Sequence, residues 1–386
     1  MINLRHPRAA IMLVFAGFGA VIGAWAGSIP QVTEASGINN FQLGLGLTAL
    51  TLATVATMAL GGTIGRHISN RAVLLFAIPA FALATSLLLI SASPLLFFTS
   101  LILFGASIGL MDVFMNAEAS AIEHDMRKPI FTTFHGSASA ALPVFAIASS
   151  IISTTLGTLA TSLLVAGTLA LTWAIVYFLL PQRQLARKEE GAVAILSPRG
   201  PLIIMGLTVG LSISCETAAV FWSAKLLNEQ APSLAVIAGL GAAFYGICNA
   251  AMRFYGDRLR TRYDEMVLML ASTALAMAGF ATLGLSTSFA LSVVAFACVG
   301  FGLSMLCPCL FNMAAAQMPK NRAAALGFIS MIAGAPRIMA PWIFGWIAAS
   351  HSTSVAFGLC TFVLVVAFGL IMLLRNMHLE ANTKAA

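Results

Sequence analysis

Twelve long apolar runs, each near the length needed to cross a bilayer, leave this chain few ways to fold. They fall near residues 9–29, 41–64, 72–91, 95–119, 130–155, 159–180, 201–223, 234–255, 266–285, 288–312, 324–348 and 353–374. A transmembrane helix needs about 20 predominantly apolar residues. In hydrocarbon every backbone N–H and C=O must find its partner inside the protein, which leaves helices or a closed barrel. A barrel is built from segments of about ten residues with alternating polarity, whereas these runs are continuous. The expectation is therefore an all-α membrane protein of twelve transmembrane helices. Charged residues make up 9% of the 386-residue chain, against about 25% in an average soluble domain, so a soluble fold is excluded. The basic start, Met1 to Arg8, leads straight into a run long enough to span, so 9–29 reads as the first span and not as a removed signal.

The joints between runs carry breaker residues: Pro30, Ser93-Pro94, Pro129, Pro181, Pro198, Pro232 and Pro319. They also carry the basic charge on alternate sides. One set of connections holds Arg5, Arg8, Arg66, Arg71, Arg127, Lys128, Arg183, Arg187, Lys188, Arg199, Arg258, Arg260, Arg262, Lys320, Arg322, Arg375 and Lys384, and the other holds only Lys225. Positive charge gathers on the cytoplasmic side, so both termini are expected there. The formal charge of +7 is then a topology signal and implies no nucleic-acid partner. The six cysteines all fall inside apolar runs, and Cys307-Pro308-Cys309 lacks the spacing of a redox or zinc motif, so they read as packing thiols.

The longest polar stretch, Pro181 to Pro201, falls at the midpoint and divides the chain into six-span halves, 1–180 and 201–386, joined by a cytoplasmic linker over 181–200. The halves echo each other. Gly62, Arg66 and Arg71 follow the second span; Gly256-Asp257-Arg258 and Arg262 follow the eighth. The offsets are 191 (71 to 262), 196 (116 to 312) and 195 (127 to 322). Two repeats in the same orientation point to a transporter built by duplication.

Six plus six spans, inside termini, a mid-chain loop and basic motifs after spans two and eight resemble the major facilitator superfamily, over essentially the whole chain. Arg253-Phe254-Tyr255-Gly256-Asp257-Arg258-Leu259 with Arg262 is similar to the C-terminal copy of that family's loop signature, in which a carboxylate and arginines clamp helix ends at the cytoplasmic gate. The N-terminal copy, Gly62 to Arg71, keeps Arg66 and Arg71 but has no aspartate. Leu101 stands where span four of the family carries an arginine, and Pro143 lacks the glycine cluster of drug antiporters. Trp25, Ile29-Pro30, Asp112, Asn116, His135-Gly136, Glu216 and Trp222-Ser223 resemble a bacterial branch typified by the inner-membrane protein YbjJ. The resemblance implies two pseudo-symmetric six-helix bundles in a bacterial inner membrane. Spans one, four, seven and ten would line the cavity and three, six, nine and twelve would lie outside.

Charges inside spans are few, and such groups point to function because each costs roughly 2.5–3.5 kcal/mol on insertion scales. Asp112 lies in span four and Glu216 in span seven, on two expected cavity helices. Asp112 and Asn116, four apart, share a helix face, roughly continued by Gly105 and Gly109. Each carboxyl could bind solute or a proton, since desolvation penalises the ionised form, or act as a buried structural partner. Arg337, in span eleven, needs a counter-ion: an anionic solute, Asp112 or Glu216. Its neighbours Gly334, Pro336 and Pro341 predict a broken or bent helix. His135 is a candidate relay or inner-gate hydrogen bond, and Trp25 a candidate cavity residue, with Trp222 and Trp342 as possible interfacial aromatics. Asn249 and Asn312 read as helix glue. Glu118 and Glu123 read as gate or structural groups near Arg127. No GxxxxGK[ST] loop, no HExxH pattern and no soluble domain are present.

The expectation is a secondary transporter and not an enzyme. It would move a small solute by alternating access, as a monomer in the bilayer, with a proton gradient as energy source and no cofactor or metal. The rival readings are a small-molecule or drug efflux protein and a non-transporting sensor of the same fold.

Overall fold

The computed structural model describes residues 5–127, 130–182, 199–318 and 322–385. The linker expected over 181–200 lies, except at its ends, outside the described residues. Thirteen α-helices follow one another: α1 (Arg5–Ala35), α2 (Asn40–His67), α3 (Asn70–Leu89), α4 (Pro94–Met126), α5 (Phe131–Thr155), α6 (Thr158–Leu179), α7 (Arg199–Gln230), α8 (Leu240–Arg260), α9 (Glu265–Leu285), α10 (Phe289–Leu303), α11 (Leu306–Gln317), α12 (Arg322–Ser350) and α13 (Thr353–Ala385). A 3-10 segment, Pro232–Ile237, precedes α8. Twelve of the described helical stretches are long and apolar enough to cross a membrane. The fold is thus all-helical, as the apolar runs require.

Two features differ from the sequence expectation. The Pro30 joint does not end its helix, since α1 runs on to Ala35, and of the broken or bent helix expected at Pro336 and Pro341 the break is absent, since α12 is one helix from Arg322 to Ser350. In α1 the carbonyls of Ile29 and Pro30 accept from the Thr33 hydroxyl, and the carbonyl that the proline leaves without its N–H is that of Ala26. The break falls instead in span ten, where α10 ends at Leu303 and α11 begins at Leu306.

Helix starts are set by local chemistry. Ser69, Ser93, Asp264 and Ser288 each accept backbone N–H groups of the turn they open, which satisfies donors that lack a partner inside the helix. Ser93 is followed by Pro94, whose missing N–H costs nothing at that position. The first residue before α5 is Ile130, which has no capping side chain. Glu123 reaches over from α4 and accepts from the N–H groups of Ile130 and Phe131. Sequence reasoning offered Arg127 as its neighbour; the carboxylate goes to the positive end of a helix instead. Glu123→Ala is expected to lower stability by about 1 kcal/mol, read as a lower thermal midpoint in detergent.

The chain forms two compact units. The first comprises Met1–Glu189 with Phe221–Ala243, and the second Glu190–Val220 with Phe244–Ala386. In the first, α1 lies along α5, α2 along α4, and α3 against α4 and α6. The 221–243 stretch packs on α5, where the Ser150 hydroxyl accepts from the Gly239 N–H (3.0 Å) and donates to the Ala235 carbonyl (3.2 Å). In the second, α9 packs on α10 and α13, and α12 on α11 and α13.

The same close approaches recur in both units. Gly105 of α4 lies against the Leu50 carbonyl of α2, and Gly300 of α10 lies against the Tyr245 carbonyl of α8, each position 195 residues from its counterpart. The caps Ser69 and Asp264, and Ser93 and Ser288, keep that offset. Gly19 and Gly23 bring α1 onto Ala138 and Leu142 of α5; Gly206 and Gly210 bring α7 onto Ile329 and Ala333 of α12. The internal repeat read from the basic loops is therefore also a repeat of helix contacts. Large apolar side chains face outward on the expected peripheral helices: Phe76 on α3, Phe178 on α6, Leu285 on α9 and Phe362 on α13. Such a surface is stable against lipid and not against water.

Candidate functional site: polar clusters inside the helices

The first unit holds one polar chain across α4 and α5. Asp112 and Asn116, one turn apart, are held together: the Asn116 amide donates to the Asp112 carboxylate (3.1 Å) and to its backbone carbonyl (2.7 Å). The Asn116 side-chain oxygen then meets His135 Nε2 at 3.0 Å. Since the amide nitrogen is spent on Asp112, the imidazole is the donor, and the tautomer follows from the network. Phe15 of α1 stands edge-on to the imidazole at 4.9 Å, and Phe131 flanks it at 5.2 Å. Sequence reasoning placed Asp112 and Asn116 on one face; the third member comes from a different helix. Gly105 and Gly109, on the same helix, allow α4 to meet α2 at Leu50 and Thr54. Asn116→Ala is expected to remove the link between Asp112 and His135 and to shift the His135 imidazole NMR resonances, because the ring loses one hydrogen-bond partner.

Trp25 is fully buried in the first unit, tilted against Phe97 of α4 with ring centroids 6.2 Å apart, and its Nε1 has no hydrogen-bond partner. It stands fifteen residues up α4 from Asp112, on Phe97, and so does not join the Asp112 chain. Trp222 is buried as well, while Trp342 is exposed.

The second unit holds a charged cluster. Glu216 sits near the middle of the 32-residue α7, and one of its carboxylate oxygens is buried with no hydrogen-bond partner. The charges of Arg253 on α8 and Arg337 on α12 both reach it. Its charge acts on Tyr245 of α8 and Cys307 of α11, and Ser212 lies one turn before it in α7. Asn249 donates to the Tyr245 hydroxyl at 3.3 Å. Tyr245, Asn249 and Arg253 are spaced four apart and form one stripe. Sequence reasoning named Glu216 and Arg337, read Cys307 as a packing thiol, passed over Tyr245 and assigned Arg253 to the gate motif. The four-residue spacing in α8 was the signal available for Tyr245.

Of the gate residues, Arg66, Arg258 and Arg262 are exposed. Arg71 donates to the Tyr177 carbonyl (2.8 Å) and lies over the Tyr177 ring at 5.7 Å, tying the start of α3 to the end of α6. Gly256 is buried where a Cβ would meet Met305 Sδ at 2.7 Å, beside the break in span ten. The Asp257 side chain lies outside the described residues. Two amide–acid bonds secure neighbouring helices: Asn70 to Glu118 (3.1 Å) in the first unit and Asn312 to Glu265 (3.0 Å) in the second, where Arg260 also binds Glu265. Among the described residues no group of three or more His, Cys, Asp or Glu side chains could hold a metal ion.

Comparison with known proteins places these clusters in a wider setting. The family model described as Major Facilitator Superfamily matches residues 9–321 and 202–386. Membrane protein MosC of Rhizobium meliloti is 29% identical over 338 residues, 86% of this chain and 81% of MosC. An uncharacterized MFS-type transporter of Yersinia pestis is 29% identical over 364 residues, 92% of each chain. Among solved structures, the D323A mutant of the nucleoside transporter NupG superposes with a TM-score of 0.80 at 14% identity, over 96% of this chain and all of that one. A bacterial homologue of the human lysosomal transporter Spinster, inward-facing and occupied, superposes with a TM-score of 0.72 at 12% identity, over 96% of this chain and 97% of that one.

Proposed function

Because the chain belongs to the Major Facilitator Superfamily, we propose that it is a proton-coupled secondary transporter of the YbjJ-type branch, moving a small solute by alternating access. That it is a membrane transporter and not an enzyme follows from the family and its fold. The coupling and the site are our reading. The two halves, 1–180 and 201–386, would act as the moving bodies. The protein would lie as a monomer in the bacterial inner membrane with both termini cytoplasmic, in keeping with the basic connections.

The observation that carries the coupling is the bonded chain from His135 through Asn116 to Asp112. A hydrogen bond to an ionised acceptor is roughly twice as strong as one between neutral groups. Proton uptake by Asp112 therefore weakens its bond to Asn116. The same amide holds His135 of α5, so a proton arriving on α4 is felt at the α4–α5 contact. Asp112 is the proton-binding group in this scheme, Asn116 transmits its state, and His135 is the element that responds.

The test uses proteoliposomes with a pH-sensitive dye trapped inside and a panel of neutral, anionic and cationic metabolites added outside. At least one solute should change the internal pH through the wild-type protein and not through protein-free vesicles. If a labelled solute equilibrates through the protein while the internal pH stays constant, the chain is a uniporter and the coupling is wrong.

A further inference from the structure

We propose that the start of α3 and the end of α6 form a binding site for an anionic phospholipid, its phosphate held by Arg71 and its chains lying along the two helices. The site belongs to the lipid face of the protein and is independent of the transport reading above.

Two prolines leave two carbonyls open at this end of the first unit. Pro79 has no N–H for the Leu75 carbonyl of α3, and Pro181 has none for the Tyr177 carbonyl of α6. Each carbonyl is met by a side chain of the other helix. Trp173 Nε1 donates to Leu75 at 2.9 Å, and Arg71 Nη2 donates to Tyr177 at 2.8 Å. The fixed indole carries the Tyr177 ring, stacked on it with centroids 5.4 Å apart and planes 19° apart. The Arg71 guanidinium in turn lies 5.7 Å from the Tyr177 ring centroid. A lone arginine near a membrane surface is free to reach for water. This one is held between a carbonyl and a ring, so its ordering precedes the arrival of a ligand.

The cation is left with donors to spare. A guanidinium has five N–H groups and is always charged, and the structure gives one of them an acceptor. Nε is enclosed without a partner, so the Nη edge of this half-buried side chain is what faces a ligand. Among the described residues the salt bridge is that of Arg260 with Glu265, and no carboxylate pairs with Arg71. Glu118 comes to the same end of α3, where it accepts from the Asn70 amide.

The surroundings select a lipid phosphate over a dissolved one. Arg71 is the second residue of the span Asn70–Leu89, and Tyr177 lies two residues from the end of the span Thr158–Leu179. That is headgroup level, where basic pockets between helices take anionic lipids. Deeper along the same helices, Phe76, Leu83 and Leu171 are 68%, 61% and 64% exposed, a wall that acyl chains cover and a small anion does not.

The second unit lacks the arrangement. Helices α3 and α9, and α6 and α13, begin 195 residues apart. At that offset Arg71, Pro79, Trp173 and Tyr177 become Met266, Ala274, Phe368 and Met372. Helices α9 and α13 still pack on each other, so joining this helix pair does not require the stack.

The experiment uses the full chain, delipidated in detergent, with bound lipid read by native mass spectrometry and by the thermal midpoint, which a ligand of the folded state raises. The probes are phosphatidylglycerol, phosphatidylcholine with the same chains, diacylglycerol and glycerol phosphate. Phosphatidylglycerol should bind and stabilise most, and glycerol phosphate should do neither. Arg71→Gln should weaken phosphatidylglycerol binding roughly 5-fold. Trp173→Phe keeps every charge but reopens the Leu75 carbonyl; it should weaken binding less, and it carries the test if Arg71→Gln does not fold. Arg375→Gln removes an exposed arginine near the end of the α13 span and should leave the affinity unchanged. The site is overturned if phosphatidylcholine or diacylglycerol binds as tightly, if glycerol phosphate alone stabilises as much, or if Arg71→Gln and Trp173→Phe both keep the original affinity. It is overturned equally if Arg375→Gln weakens binding as much as Arg71→Gln, since the attraction would then be to charge at large.

Discussion

Asp112→Asn is expected to reduce pH-driven solute accumulation in proteoliposomes at least ~10-fold, equivalent to about 1.4 kcal/mol or more, while exchange of labelled for unlabelled solute at equal pH continues. The asparagine fills the same volume in the middle of α4 and can still accept from the Asn116 amide, so the helix contact is kept. What it cannot do is take up and release a proton. Net accumulation against a gradient requires that step, whereas exchange returns the carrier in the loaded state and does not. The two measurements separate a proton-binding role from a structural one. Equal loss of both would make Asp112 a scaffold residue, and loss of neither would remove it from the transport cycle.

Gly105→Val is expected to destabilise the protein by about 3 kcal/mol, seen as a marked fall in the thermal midpoint and in the yield of monodisperse protein from detergent. A side chain at this position would run into the Leu50 carbonyl, and backbone cannot move aside as a flexible side chain can. Pushing α2 from α4 would also strain the bond from the Thr54 hydroxyl to the Gly105 carbonyl (2.9 Å). In a membrane, close approach through small residues is a main source of helix association, so the loss has no easy compensation. Gly300→Val should cost a similar amount, since the contact with Tyr245 repeats the geometry. A neutral result at either position would mean that the helices separate more readily than the packing implies.

The number of spans was legible because hydrocarbon imposes a length and a composition on every helix that crosses it. The repeat was legible from the basic loops, since charge placement follows topology. Helix ends were harder. Pro30 looked like a terminator, yet the α1 helix continues, because packing along α5 outweighs one missing N–H. The break in span ten did have a signal: Pro308, in the first turn of α11, has no N–H for the Ser304 carbonyl.

The candidate site was legible in part. Asp112 and Asn116 announce each other through their spacing along one helix. His135 joins them only through a contact between helices, which no spacing encodes. Arg253 was read as part of the gate signature, although it falls inside the eighth run, 234–255. Tyr245 was passed over because a tyrosine in an apolar run is ordinary until its neighbours are known.

The paired bonds Asn70–Glu118 and Asn312–Glu265 have a consequence for what each tie tolerates. Asn70 and Glu265 stand 195 residues apart, so the amide opens the third helix of the first unit and the acid opens the third helix of the second. Two acids in such a pair would place like charges face to face, whereas two amides can still donate and accept. A protein carrying Glu118→Gln should accordingly fold and insert far better than one carrying Asn70→Asp.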